Sequence, residues 1–326
     1  MVSEEQTLPY YSRVLHRFIF FIIIILLFFS FYFFYFFKVK NIYQDNIIIN
    51  IPQGSKLIEI SNLILKNNNL LEKKIYLYYL VIWDKYFDKI NYGEFEIDEN
   101  HNLIDITYIL SNPSNVYHEF TIVDGWQEYQ INELLIQANF KDIKDIEYNT
   151  VLADTYYYQL HNSFQEIYKY MKKTKESFFN KYENNILLNK YDQNQIITIS
   201  SLIEKEGIDD NDKKLISSVI FNRLNKKMKL QIDASTIFAI TQGKYKLNRK
   251  LTLEDLKIKD EYNTYYVQGL PPKPICFVSR KTIEIVLENY ISDYLFYFYD
   301  NNLKKHIYSK SFNEHKIKLN QYRSSK

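Results

Sequence analysis

Hydrophobicity divides this chain sharply into an apolar opening and a patterned body. Residues 18–37 read FIFFIIIILLFFSFYFFYFF, about 20 positions without a charge. At ~1.5 Å per residue such a helix crosses a ~30 Å hydrocarbon core. A soluble core helix is rarely apolar all round for that length. A cleavable signal peptide would have a shorter apolar stretch and a small-residue cleavage site after it. The pattern predicts a retained transmembrane helix over 18–37 behind a tail at 1–17. Arg13 and Arg17 on one side nearly balance Lys38 and Lys40 on the other, so charge alone leaves the orientation open. A short tail before one span, with the whole body after it, points to a cytoplasmic tail and a body outside the plasma membrane.

Beyond the span the periodicity changes. Residues 46–51 alternate as a strand, and Pro52-Gln53-Gly54 turns into a helix with Ser55 as its cap and Glu59 in its first turns. A helix over 72–86 and a strand over 93–97 follow. This β-α-α-β order, with its Ile-Pro-x-Gly-x opening, resembles a LysM-type glycan-binding module, although a plain structural spacer would show the same order. A second, similar unit opens near Tyr117, with a strand at 118–123, a turn at Asp124-Gly125 and a helix at 126–138. Helices dominate 163–224, with a polar connection at 184–195. Strands return at 294–299 and 306–309 around Asp300-Asn301-Asn302, which reads as a hairpin. The expected fold class is α+β: a transmembrane helix, a small LysM-like domain over 42–115 and a larger mixed domain over 116–326.

Within the helical stretch, residues 196–206 set carboxylates where apolar side chains are due. Ile196, Ile199, Leu202 and Ile203 share one arc of a helix. Glu204 falls between Ser200 and Ile197, and Glu206 between Leu202 and Ile199, leaving Lys205 and Thr198 pointing outward. A carboxyl group against apolar surface is desolvated when ionised, so its pKa rises and it can act as a general acid. The next helix, over 213–224, lines one face with Ile216, Val219 and Ile220 and sets Arg223 in the middle of it, with Asn222 at the margin. A guanidinium there needs a carboxylate or carbonyls. If 228–233 is extended, Gln231 and Asp233 point to one face. Tyr262-Asn263-Thr264-Tyr265 and the turn Gly269-Leu270-Pro271-Pro272-Lys273-Pro274 add polar aromatics and a rigid loop. Each has a bland counterpart: a solvated glutamate, a structural ion pair, an ordinary turn.

Composition narrows the classes. With a formal net charge of +2 and no basic block interleaved with aromatics, nucleic acid is not an expected partner. The single cysteine, Cys276, allows no intrachain disulfide, and the six histidines lack metal-ligand spacing. No Walker loop, dinucleotide fingerprint or nucleophile elbow occurs. The 31 tyrosines and 23 phenylalanines against six glycines look like genomic bias, so runs such as Lys66-Asn67-Asn68-Asn69 are discounted as signals.

Taken in order, SLIEKEG, SSVIFNRL, MKLQIDAST, EYNTYYVQGLPPKPI and the LFYFY and HIYSKSFNEH segments resemble the motifs of the endolytic murein transglycosylase family, the YceG-like proteins. The likeness runs from about Ile51 to His315 and includes the single N-terminal span. It implies a membrane-anchored lytic transglycosylase that cuts nascent peptidoglycan strands beside the synthases, its expected partners, with 116–326 as the catalytic domain. It makes Glu204 the catalytic glutamate. Glu206, Asn222, Arg223, Gln231, Asp233, Tyr262, Asn263 and Thr264 become supporting residues of the cleft, and Asp233 or Glu206 is the expected partner of Arg223. The sequence departs from the family by Ala234, Glu261 and Ala153 in place of prolines and Lys273 in place of a glycine, which predicts looser or shifted loops.

The implied reaction needs one carboxyl group. It protonates the oxygen joining N-acetylmuramic acid to N-acetylglucosamine, then takes the proton of the C6 hydroxyl as that oxygen closes on C1 to give a 1,6-anhydro end. The nucleophile is intramolecular, so no metal or organic cofactor is expected. Two other readings stand beside it: a two-carboxylate hydrolase, and a membrane-tethered glycan-binding scaffold without activity.

Overall fold

The computed structural model describes residues 8–138, 140 and 146–324. The chain divides into two compact units, one running to His118 with Gln159–His161 added, the other made of Glu119–Tyr158 and the remainder from Asn162. Among the described residues, helices and three separate two-stranded sheets make a mixed architecture.

The first unit begins with α1 (Leu8–Phe34), which runs into a π-turn at Tyr35–Val39. The stretch Val14–Val39 is long and apolar enough to cross a membrane. Phe36 and Phe37 leave that exposed surface and are buried in the unit's core. Next come β1 (Ile47–Ile51), α2 (Leu57–Ile64), α3 (Leu70–Tyr86), β2 (Gly93–Ile97) and α4 (Leu103–Ser111). Strands β1 and β2 pair antiparallel with Ile49 opposite Phe95. Their alternation turns Ile49, Ile51, Phe95 and Ile97 into one core with Ile60, Leu80 and Ile106. Helix α4 is an element the sequence pattern missed. The cap of α2 is Lys56 rather than Ser55: the Lys56 N–H donates to Glu59 at 2.9 Å, while the Ser55 hydroxyl turns back to the Pro52 carbonyl at 2.8 Å.

The second unit contains β3 (His118–Thr121), α5 (Glu128–Gln137), β4 (Thr155–Tyr158) and α6 (Phe164–Asn180). This β-α-β-α order, with β3 paired to β4, replaces the expected repeat of the first unit. Then follow α7 (Gln193–Glu206), α8 (Asp210–Asn225), α9 (Asp233–Thr241), α10 (Arg280–Leu287), the hairpin β5 (Phe296–Asp300) and β6 (Lys305–Ser309), and α11 (Phe312–Ser324). Helix α7 lies at the centre, with every residue from Ile196 to Ile203 buried and α8, α9 and α10 packed around it. Two serines tolerate that burial because Ser200 and Ser201 return their hydroxyls to the carbonyls of Ile196 and Thr198, each at 2.8 Å. Residues 228–232 form no strand; Gln231 has a left-handed φ of 52° and Asp233 opens α9.

Candidate active site

Helix α7 presents its two glutamates to different neighbourhoods, because residues two apart on a helix are roughly 200° apart around its axis. Asp192 caps its start, accepting from the Gln195 N–H at 2.8 Å, and Gly207 ends it. A Cβ on Gly207 would collide with the Lys213 side chain, so glycine lets Lys213 fold over the helix end and reach Glu204.

Glu204 is closed in. Its side chain is 3% exposed and ion-paired with Lys213, whose ammonium also donates to Thr282 at 2.8 Å. The other carboxylate oxygen accepts from the Ser279 N–H at 3.2 Å and its hydroxyl at 3.1 Å. Ser279 caps α10, accepting from the Thr282 N–H at 3.2 Å, so this carboxylate also meets the positive end of a helix. The apolar niche expected around Glu204 is thus a polar clamp. The sequence missed Lys213 and Ser279 because neither lies near Glu204 in any local period.

The desolvated environment occurs instead at Glu206. Burial, followed by the charge of Asp233, pushes its carboxyl up to about 7, against smaller opposing contributions from His306, the Ala234 N–H and the Tyr297 hydroxyl. Tyr297 donates to it at 3.4 Å. As whole residues, Glu204 and Glu206 are alike in being half-buried. Beside it, Asp233 accepts from the Tyr265 hydroxyl at 2.6 Å. His306 stands edge-on to Tyr297 at 5.2 Å between centroids, and its Nδ1 lies 2.8 Å from Asp212. Asp212 also accepts from the Tyr308 hydroxyl at 2.6 Å. Burial alone would raise Asp212, but hydrogen bonds from His306, Tyr308 and the Ile208 N–H bring it below the ordinary carboxylate range. Tyr297, His306 and Tyr308 escaped selection by sequence, although the alternation of a hairpin turns all three to one face.

The remaining expected residues bond chiefly to backbone and to one another. Arg223 has no carboxylate partner among the described residues; neither Asp233 nor Glu206 meets it. Its guanidinium, 7% exposed, donates to the carbonyls of Leu295 at 2.6 Å, Leu230 at 2.7 Å and Lys229 at 3.2 Å. It also reaches the Gln231 amide oxygen at 3.4 Å and lies over the Phe296 ring. Asn222 holds the same hairpin approach through the carbonyls of Ser292 and Tyr294. Buried Asn263 accepts from Thr236 and donates to the carbonyls of Leu256 and Ile258. Thr264 receives the Ile232 N–H at 2.9 Å and bonds Ser235 at 2.8 Å, bracing the start of α9 under Asp233. Tyr262 packs on Phe238 in the wall of a cavity of about 260 Å³, shared with Glu128, Glu147, Tyr148 and Lys273, whose lining includes neither Glu204 nor Glu206.

Two of the positions where proline was expected use an N–H instead. Proline has no N–H; Ala153 uses its own to reach the Val278 carbonyl at 2.7 Å, and the Ala234 N–H favours the ionised form of Glu206. Among the described residues no group of three or more His, Cys, Asp and Glu side chains could hold a metal ion.

The chain as a whole is similar to known proteins. The profile of the YceG-like family matches residues 49–321. The endolytic murein transglycosylase of Bacillus subtilis strain 168 is 28% identical over 315 residues, covering 85% of each chain. That of Streptococcus pneumoniae strain R6 is 35% identical over 136 residues, or 41% of this chain and 24% of that protein. The crystal structure of a yceG-like protein from Listeria monocytogenes superposes with a TM-score of 0.52 at 26% identity, covering 84% of this chain and 99% of that one.

Proposed function

The chain belongs to the YceG-like family, and from that membership we propose that it is a membrane-anchored endolytic murein transglycosylase whose proton donor is Glu206. The α1 span tethers a body on the outer side of the plasma membrane. The order of β1, α2, α3 and β2 supports reading the first unit as LysM-like, and the second unit cuts the glycan. The observation that carries the assignment is the neighbourhood of Glu206, with the Tyr297 hydroxyl at 3.4 Å and Asp233 held by Tyr265, where burial pushes the carboxyl up to about 7.

Protonated Glu206 gives its proton to the glycosidic oxygen on the N-acetylglucosamine side as positive charge grows on the muramic sugar. Asp233, fixed by Tyr265, supplies negative charge where that oxocarbenium character develops. Once ionised, Glu206 is steadied by the Ala234 N–H and the Tyr297 hydroxyl. It then takes the proton of the C6 hydroxyl, whose oxygen closes on C1 to form the 1,6-anhydro ring. Such ends would cap strands made by neighbouring synthases. The role implied for Glu204 by motif likeness is reassigned: with both oxygens engaged by Lys213 and Ser279, it holds the helix end that carries Glu206.

The Asp233 carboxylate beside Glu206 also fits a two-carboxylate hydrolase. The test is digestion of purified murein by the full chain, with product ends identified by mass. Glu206→Gln should lower cleavage by about 10²–10⁴-fold at an unchanged melting temperature or a higher one, and wild-type products should lack one water. Reducing ends would indicate the hydrolase. A Glu206→Gln protein that still cuts, beside a folded but inactive Glu204→Gln protein, would return the acid to Glu204. A folded wild type that never cuts would leave a scaffold.

A further inference from the structure

The first unit carries a helix face that no part of the described protein covers. On α3, Leu71, Tyr78, Ile82 and Tyr86 follow one another at helical spacing, and all four are more than half exposed. Lys74 and Lys85 are exposed among them on the same face. Most soluble helices turn such a stripe inward, and exposed apolar surface of this extent marks an interaction site.

The face continues the surface of the membrane helix. A cavity of about 500 Å³ separates the last turns of α1 from α3, walled by Phe33, Phe34, Phe37, Ile75, Tyr78 and Ile82, with Lys38 also in its lining. Rings run without a break from one helix to the other: Phe33 to Phe37 at 5.9 Å, Phe37 to Tyr79 at 4.7 Å, Tyr79 to Trp83 at 5.8 Å and Trp83 to Phe87 at 5.1 Å. A surface whose one wall already belongs in hydrocarbon, whose body is tyrosine and isoleucine and whose borders carry lysine has the composition of an element lying at a bilayer interface.

We propose that α3 rests on the membrane as an interfacial helix and that the groove between it and α1 takes an acyl chain of a phospholipid in the leaflet that the body faces. Lys38, Lys74 and Lys85 meet the phosphates, their aliphatic stems lying along the apolar surface. This rests on the reading of α1 as a membrane span, and adds that the first unit lies down on the bilayer instead of standing off on a tether.

The test places a single fluorophore on the full chain in vesicles of phosphatidylcholine and phosphatidylglycerol, with part of the phosphatidylcholine carrying a nitroxide on its acyl chain. Two added cysteines are compared, Phe28→Cys within α1 and Ile82→Cys on α3; Cys276 is fully buried and does not label. Both labels should lose about half their emission or more when the nitroxide lipid is present, as depth-dependent contact with the bilayer requires. Quenching at position 28 without quenching at position 82 overturns this inference and leaves the span intact. Loss of quenching at both removes the span itself. A label at position 82 that is shielded from lipid and cross-links to a second copy gives the face to that copy, and also overturns the inference.

Discussion

Two carboxylates on the last turn of one helix occupy opposite surroundings. Around Glu204 the protein supplies a cation, two hydroxyls and a helix N-terminus, and closes the group off to 3% exposure. Around Glu206 it supplies an anion and aromatic rings, and burial pushes the carboxyl up to about 7. The amino acid is the same and the backbone is continuous. The raised Glu206 carboxyl is therefore the work of what neighbouring elements bring to that side of the helix, not of the Glu-Lys-Glu string as such.

Removing the clamp should have the largest effect. Glu204→Gln leaves the Lys213 ammonium buried without its anion and should destabilise folding by about 3–5 kcal/mol, read as a lowered denaturation midpoint. Adding Lys213→Met should recover most of that loss, because the unpaired charge is what costs. If Glu204→Gln melts like the wild type, the contrast between the two sites is wrong.

The second site should respond in the opposite direction. The folded state binds the Glu206 proton above its ordinary value of 4.5, up to about 7. Between those values the native protein holds more proton than the unfolded chain, so stability falls as pH rises through the window. Glu206→Gln cannot ionise and escapes that loss. It should be more stable than the wild type above pH 7 by up to about 3 kcal/mol, with the difference vanishing near pH 4. Equal melting curves at pH 8 would mean that burial does not hold the proton.

The smallest effect sharpens the comparison. The Ala234 N–H favours ionised Glu206, and Ala234→Pro removes that donor within the first turn of α9, where proline is tolerated. The alkaline limb of the cleavage profile should move upward by less than about one pH unit. A shift downward would contradict the hydrogen bond.

The parts legible in sequence were those governed by local period. The apolar run became α1, alternation located β1, β2 and the hairpin strands, and buried residues around positions 196–203 became the central helix. The ordered motifs reached the family. What escaped was set by partners distant in sequence: Ser279 and Lys213 approach Glu204 from α10 and α8, and Tyr297 approaches Glu206 from 91 residues away. Helical phase placed both carboxylates against apolar arcs, but it carries no information about which would find a lysine. Arg223 was correctly required to have oxygen partners, and it found them in the carbonyls of Leu295, Leu230 and Lys229, one of which lies 72 residues away. At the missing prolines the sequence records a lost ring, and the structure adds the N–H that takes its place.

One hairpin ties two acidic sites together. Strands β5 and β6 pair Tyr297 with Tyr308 and Tyr299 with His306, so a single ribbon delivers the hydroxyl beside Glu206 and the imidazole beside Asp212. A two-stranded ribbon is marginal alone, so its register is kept by what it docks on. A slip of one residue would turn Tyr297, His306 and Tyr308 to the opposite face together, and both acids would lose their aromatic partners in one stroke.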